Sequence, residues 1–135
     1  MDKVKSYRDL QVWQRAGDPA VHIYRITESF PKTEIYALTN QMRRAAVSIA
    51  SNIAEGYGCS EPELARYLAM ARGSLAELET QAEIAKRIGY FSDKDHSELS
   101  EEINILGRQL NVFHQRVNQP PVASRQQPAA NNQQS

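Results

Sequence analysis

A chain of 135 residues with sixteen basic and sixteen acidic side chains fits one compact domain of ordinary size, and its zero formal net charge removes the simplest argument for nucleic-acid binding, a strongly basic surface. The length allows a real core without disulfide or metal staples. A single cysteine, Cys59, excludes a disulfide within the chain and suits a reducing cytoplasm, while the opening MDKVKSYRDLQVWQ has no signal-peptide apolar core and no run of about 18 apolar residues occurs anywhere, so neither export nor a membrane partner is expected.

Four helices are predicted, over about 8–30, 34–57, 61–88 and 93–117. In the first, Val12, Trp13, Ala16, Ala20, Ile23, Tyr24, Thr27 and Phe30 share a face, and Gln11, Gln14, Asp18, His22 and Arg25 lie opposite. Gly17-Asp18-Pro19 interrupts it, because proline cannot donate to the carbonyl of Arg15; a kink is expected there, or a break with Asp18 as a new cap. Phe30-Pro31 ends the segment.

The second predicted helix, over about 34–57, has almost no ordinary water-facing surface. Leu38, Met42, Ala45, Ala46, Ile49, Ile53 and Tyr57 form one apolar face, and Val47, Ala50 and Ala54 a second of smaller groups. Gln41, Arg44, Ser48, Asn52 and Glu55 make a polar stripe between them. A helix apolar on two faces is buried on two faces. One face fills the core of the domain and the other calls for more protein, so Arg44, Val47, Ser48, Ala50, Asn52, Ala54 and Glu55 are the candidates for a subunit interface or polar seam. Gly56 and Gly58 are expected to stop this helix.

Ser60-Glu61-Pro62-Glu63 reads as a capping box opening the third helix. Leu64, Tyr67, Leu68, Ala71, Leu75, Leu78, Ala82 and Ala85 make its stripe, Gly73 and Ser74 suggest a close helix approach, and Gly89 closes it. Ser92-Asp93-Lys94-Asp95 opens the fourth, where Leu99, Ile103, Leu106, Leu110, Phe113 and Val117 recur at offsets of three and four. Residues 118–135, rich in Pro, Gln, Asn and Ser, are expected to be a disordered polar tail. Short connections between long helices favour antiparallel neighbours, so the fold class is an all-α, up-down four-helix bundle.

No catalytic or metal-binding set is legible. Ser48, Asn52 and Glu55 lie close in sequence, but no histidine joins them to activate a serine. Glu-x-x-His pairs, a phosphate-binding glycine loop and a second cysteine are all missing. The chain is therefore expected to be no enzyme, with no metal and no cofactor. Arg43 and Arg44 can fork onto phosphate oxygens, although pairing with Glu77 and Glu79 of the third helix is the more ordinary fate of such arginines. Lys3, Lys5 and Arg8 beside Tyr7 could clamp single-stranded nucleic acid. Lys3, Lys5, Arg8 and Arg43 are thus the nucleic-acid candidates. The charge imbalance that would help them is small: residues 1–33 hold six basic and four acidic side chains, residues 91–118 three and five.

LQVWQRA, FPKTEIYALTNQMRRAAVSIASNIAEG and GSLAELET together resemble the four-helix-bundle proteins of the 23S rRNA intervening-sequence family, over roughly residues 7–117. The resemblance implies a homopentameric ring and, through a related branch of accessory proteins of diversity-generating retroelements, nucleic-acid binding. The expected partners are therefore a second copy of the chain and RNA or DNA, or alternatively another protein docked on a scaffold without nucleic-acid affinity. The sequence departs from the family's pattern at Gly17-Asp18-Pro19, at Ala37 where glycine is common, and at Cys59 where arginine is usual.

Overall fold

The computed structural model describes residues 5–118. Its helices are α1 (Gln11–Thr27), α2 (Leu38–Tyr57), α3 (Glu61–Ile88) and α4 (Asp93–Val117), and no strand occurs among the described residues. Short 3-10 turns at Tyr7–Asp9 and Lys32–Glu34 precede α1 and α2. α1 packs on α2 and α4, and α3 packs on the same two, so the helices stand at the corners of a square. Thr27 at the end of α1 meets Arg43 near the start of α2, Gly56 at the end of α2 meets Tyr67 near the start of α3, and Glu83 late in α3 meets His96 early in α4. Every neighbour therefore runs antiparallel. None of the described helices is long and apolar enough to cross a membrane.

Each helix sends its apolar stripe to one shared core. Ile23, Met42, Ile49, Ile53, Leu68, Leu78, Leu99, Leu106 and Leu110 are fully buried, and each such side chain contributes about 1.5–3 kcal/mol when taken from water. The inward face of α1 is set slightly differently from the expected one. Ile26 and Pro19 are buried, whereas Tyr24 sits at the rim, 46 % exposed, with the Arg43 guanidinium over its ring.

Several local expectations are corrected. α1 passes through Gly17-Asp18-Pro19 without a break; Pro19 is fully buried, and its place in the core outweighs the lost backbone bond. α1 ends at Thr27, and Phe30 instead leaves the helix to pack on Tyr90 and Phe91, ring centroids 5.0 and 5.6 Å away. α2 starts at Leu38 rather than near residue 34. Glu34 accounts for this, because its carboxylate accepts from the Leu38 N–H at 3.2 Å and from the Tyr90 hydroxyl at 2.8 Å, tying the start of α2 to the α3–α4 connection. Ser60 stands at the N-cap of α3 but makes no side-chain cap bond, so the expected capping box is absent; Pro62 has removed one of the donors it would serve. Ser92 does cap α4, accepting from the Asp95 N–H at 3.0 Å. Gly89 closes α3 at φ +96°, a left-handed conformation suited to glycine.

The close approach between α2 and α3 is made by Gly56, not Gly73. Gly73 faces open space, whereas a Cβ on Gly56 would lie 2.7 Å from the Tyr67 Cβ and 3.0 Å from the Leu64 Cδ1. Gly56 thus lies inside α2, and Gly58 alone ends the helix. The expected tail, from residue 119 onward, and Lys3 lie outside the described residues.

Gly56→Ala is expected to cost about 1–3 kcal/mol, since the helices must part to admit the methyl group; a urea titration of the two proteins measures it. The Tyr90 phenol is held above its ordinary pKa of 10.0, chiefly by donating to the Glu34 carboxylate. That bond stabilises the neutral phenol, so its contribution is present below pH 10 and lost as pH rises through the elevated value. Thermal midpoints followed from neutral into alkaline pH should fall less for Tyr90→Phe than for the parent.

Candidate functional site

The polar stripe of α2 faces α3. The hydroxyls of Ser48 and Ser74 share a hydrogen bond of 2.9 Å across the seam. Asn52, 7 % exposed, donates through Nδ2 to the Ser48 carbonyl at 2.9 Å and to the Ser48 Oγ at 3.0 Å. A buried amide and two hydroxyls are in this way satisfied inside one chain. Above them lie two adjoining recesses that share Gln41, Ser48, Glu77 and Gln81, with Met70 at one side and Arg44 at the other. Gln81, whose helical position also falls beside the core stripe of α3, is 8 % exposed, and its Oε1 has no partner. Among the described residues, no histidine or lysine lines either recess. The hydroxyl of Ser48 is engaged by Ser74 and Asn52.

The remaining interface candidates fall at different depths. Val47 projects outward, 43 % exposed, while Ala50 packs against the core, Ala54 is half-buried and Glu55 is exposed. Arg43 and Arg44 make no ion pair with Glu77, Glu79 or any other carboxylate among the described residues. Arg43 turns to α1 instead, donating from Nε to the Thr27 Oγ1 at 2.9 Å and lying 4.7 Å from the Tyr24 ring centroid. An arginine at that angle of the helix reaches α1 and not α3, which the sequence pattern does not reveal.

At the end of the bundle where α1 begins, Lys5 and Arg8 are exposed. Ser6 accepts from the Arg8 N–H at 3.1 Å, and Asp9 accepts from the Lys5 and Ser6 N–H groups at 2.9 and 3.3 Å, which orders the turn. Tyr7 and Trp13 meet edge to face at 5.2 Å, and the Arg8 guanidinium lies 5.5 and 5.9 Å from their ring centroids. Arg43 stands some 14 helical residues from this end, about 20 Å along α2. The fold therefore does not bring Arg43 together with Lys5 and Arg8.

A further group assembles only through folding. His22, expected on the water face, is half-buried against α4, with Nδ1 3.0 Å from the Glu102 Oε1. Ligand atoms of His22, Asp95 and Glu98 lie within 4.8 Å of one another. Donation from Lys94 holds the Glu98 carboxyl below its ordinary pKa, and Lys94 is raised in turn. With Glu102 on the imidazole and Lys94 on Glu98, two of the acidic groups already have partners, and the arrangement reads as a polar bridge between α1 and α4. No sequence motif announces it, because His22 and Glu102 are 80 residues apart.

Residues 8–112 match the family described as 23S rRNA-intervening sequence protein. The chain belongs to this family. A likeness of fold comes from the crystal structure of a protein with unknown function from the S23 ribosomal protein family of Bacteroides thetaiotaomicron VPI-5482. It is 19 % identical, has a TM-score of 0.71, and spans 76 % of this chain and 97 % of that one. No curated protein matches the chain. Within the family's pattern, the departure at Gly17-Asp18-Pro19 is absorbed into an unbroken α1, and Cys59 is an exposed free thiol whose Sγ lies 3.4 Å from the Glu55 carbonyl.

Arg43→Met keeps much of the apolar stem while removing the Thr27 bond and the charge over Tyr24. We expect a loss of about 1–2 kcal/mol in folding stability by chemical denaturation, from the lost charge-assisted bond and ring contact.

Proposed function

We propose that this protein is a non-enzymatic homo-oligomer, a five-membered cytoplasmic ring, that binds RNA in preference to DNA. The observation that supports it is the corner formed by Lys5, Tyr7, Arg8 and Trp13, where exposed cations stand beside an ordered aromatic pair. Bases stack on such rings while the cations meet phosphate. One corner is a weak site, but a ring would present five copies to a single strand, and avidity would raise the affinity where the strand spans several sites. The family's description, which refers to 23S rRNA, favours RNA. Arg43 lies away from this corner, its Nε bonded to Thr27 of α1.

The zero net charge, together with Tyr36, 92 % exposed beside Ile35, favours a second reading, a scaffold that docks another protein. Fluorescence anisotropy with a labelled single-stranded RNA separates the two. Binding should weaken steeply between about 50 and 200 mM salt, and Lys5→Glu with Arg8→Glu should abolish it while the oligomer persists. No binding at low salt removes the RNA reading and leaves the scaffold, whereas binding untouched by the double substitution removes the Lys5/Arg8 corner as its site.

A further inference from the structure

Two opposite sides of the bundle are each left incomplete. On the α2/α3 side, Gln81 is 8 % exposed with an unpaired Oε1, and Glu77 beside it forms no hydrogen bond or ion pair among the described residues. On the α1/α4 side, the Oε1 of Gln109 is likewise buried without a partner. The recess there carries Arg108 and Arg116, with Val112 52 % exposed, and no carboxylate lines it among the described residues. Because the four helices form a square, the α2/α3 side and the α1/α4 side face away from each other. Neither can complete the other within one chain.

We propose that these two surfaces meet between copies, the α1/α4 ridge of one chain seated on the α2/α3 groove of the next, with Arg108 and Arg116 donating to the exposed Glu77 carboxylate. This deepens the homo-oligomer reading and rests on it. Arginine supplies forked donors matched to a carboxylate. Val112 brings an apolar group to a groove whose side is formed by Met70, itself 45 % exposed. Contact between two different faces is heterologous. It propagates head to tail and closes into a ring when the rotation per copy divides the circle, whereas a two-fold dimer would need one self-complementary patch. Arg44 on the rim, which forms no ion pair among the described residues, is the chain's own competitor for Glu77.

The test is native mass spectrometry and light scattering of the full chain carrying Glu77→Arg, Arg108→Glu with Arg116→Glu, or all three changes. Each charge reversal should weaken assembly by about tenfold or more, as expected for opposed charges across an interface. Helical circular dichroism should hold, because all three side chains are exposed, and the thermal midpoint should fall only as far as the loss of assembly lowers it. The triple variant should recover the oligomer. If either reversal disturbs folding, Glu77→Gln and Arg108→Gln with Arg116→Gln replace it, with partial loss of assembly expected. A parent chain that assembles while every variant assembles equally well, or a triple variant that fails to recover, overturns this interface and leaves the homo-oligomer standing. A monomeric parent chain overturns both.

Discussion

The bundle depends on how closely α2 and α3 can approach. Gly56 brings the backbone of α2 against the side chains of Leu64 and Tyr67 at a spacing that no Cβ would allow. The connection between these helices is only Gly58, Cys59 and Ser60, so the two must lie side by side from their shared end onward. Once that contact is made, Ser48 and Ser74 come within hydrogen-bond distance, Asn52 closes over them, and Gln81 is drawn under the groove. The polar seam is thus a result of backbone proximity: small groups at one end set the depth at which the larger polar groups are buried along the rest.

The opposite end is held by different means. Phe30, Tyr90 and Phe91 form an aromatic cluster where α1 and α3 finish, and the Glu34 carboxylate bridges from there to the first turn of α2. One end relies on the absence of a side chain at Gly56, and the other on three packed aromatic rings. Between them the apolar stripes need only fill the volume, and the connection from Thr27 to Leu38 can be long because its middle is pinned at Phe30 and Glu34.

The four stripes were legible in the sequence because helix period and burial coincide. Met42, Ile49 and Ile53, Leu68 and Leu78, and Leu99 through Leu110 are buried where their spacing places them. Features that depend on a second helix were not. Gly56 reads as a helix stop and Gly73 as the point of close approach until the position of Tyr67 is known. His22 reads as a surface residue until α4 brings Glu102 to it. Arg43 has the same sequence signature whether it turns to α1 or α3. Pro19 has the signature of a helix break, yet local propensity loses to burial. The candidate site shared this fate: Ser48 and Asn52 were marked by the stripe of α2, but Gln81 was hidden among the core positions of α3, and the orphaned oxygen that makes it informative is a property of the packed pair alone.

Pro19 also sets how α1 can come apart. The Arg15 carbonyl receives nothing from residue 19, and the Arg15 Nε is buried without a partner. The ladder of α1 is therefore one rung short near its middle, in a helix whose neighbours are uninterrupted. Local opening is cheapest where a backbone bond is already missing, so the first two turns of α1, together with the Tyr7–Asp9 turn that leans on them, can fray as a unit while Ile23 and Ile26 stay docked. Amide exchange would then divide α1 at the proline, and the aromatic corner at Tyr7 and Trp13 would sit on the faster-exchanging half, able to rearrange without unfolding the bundle.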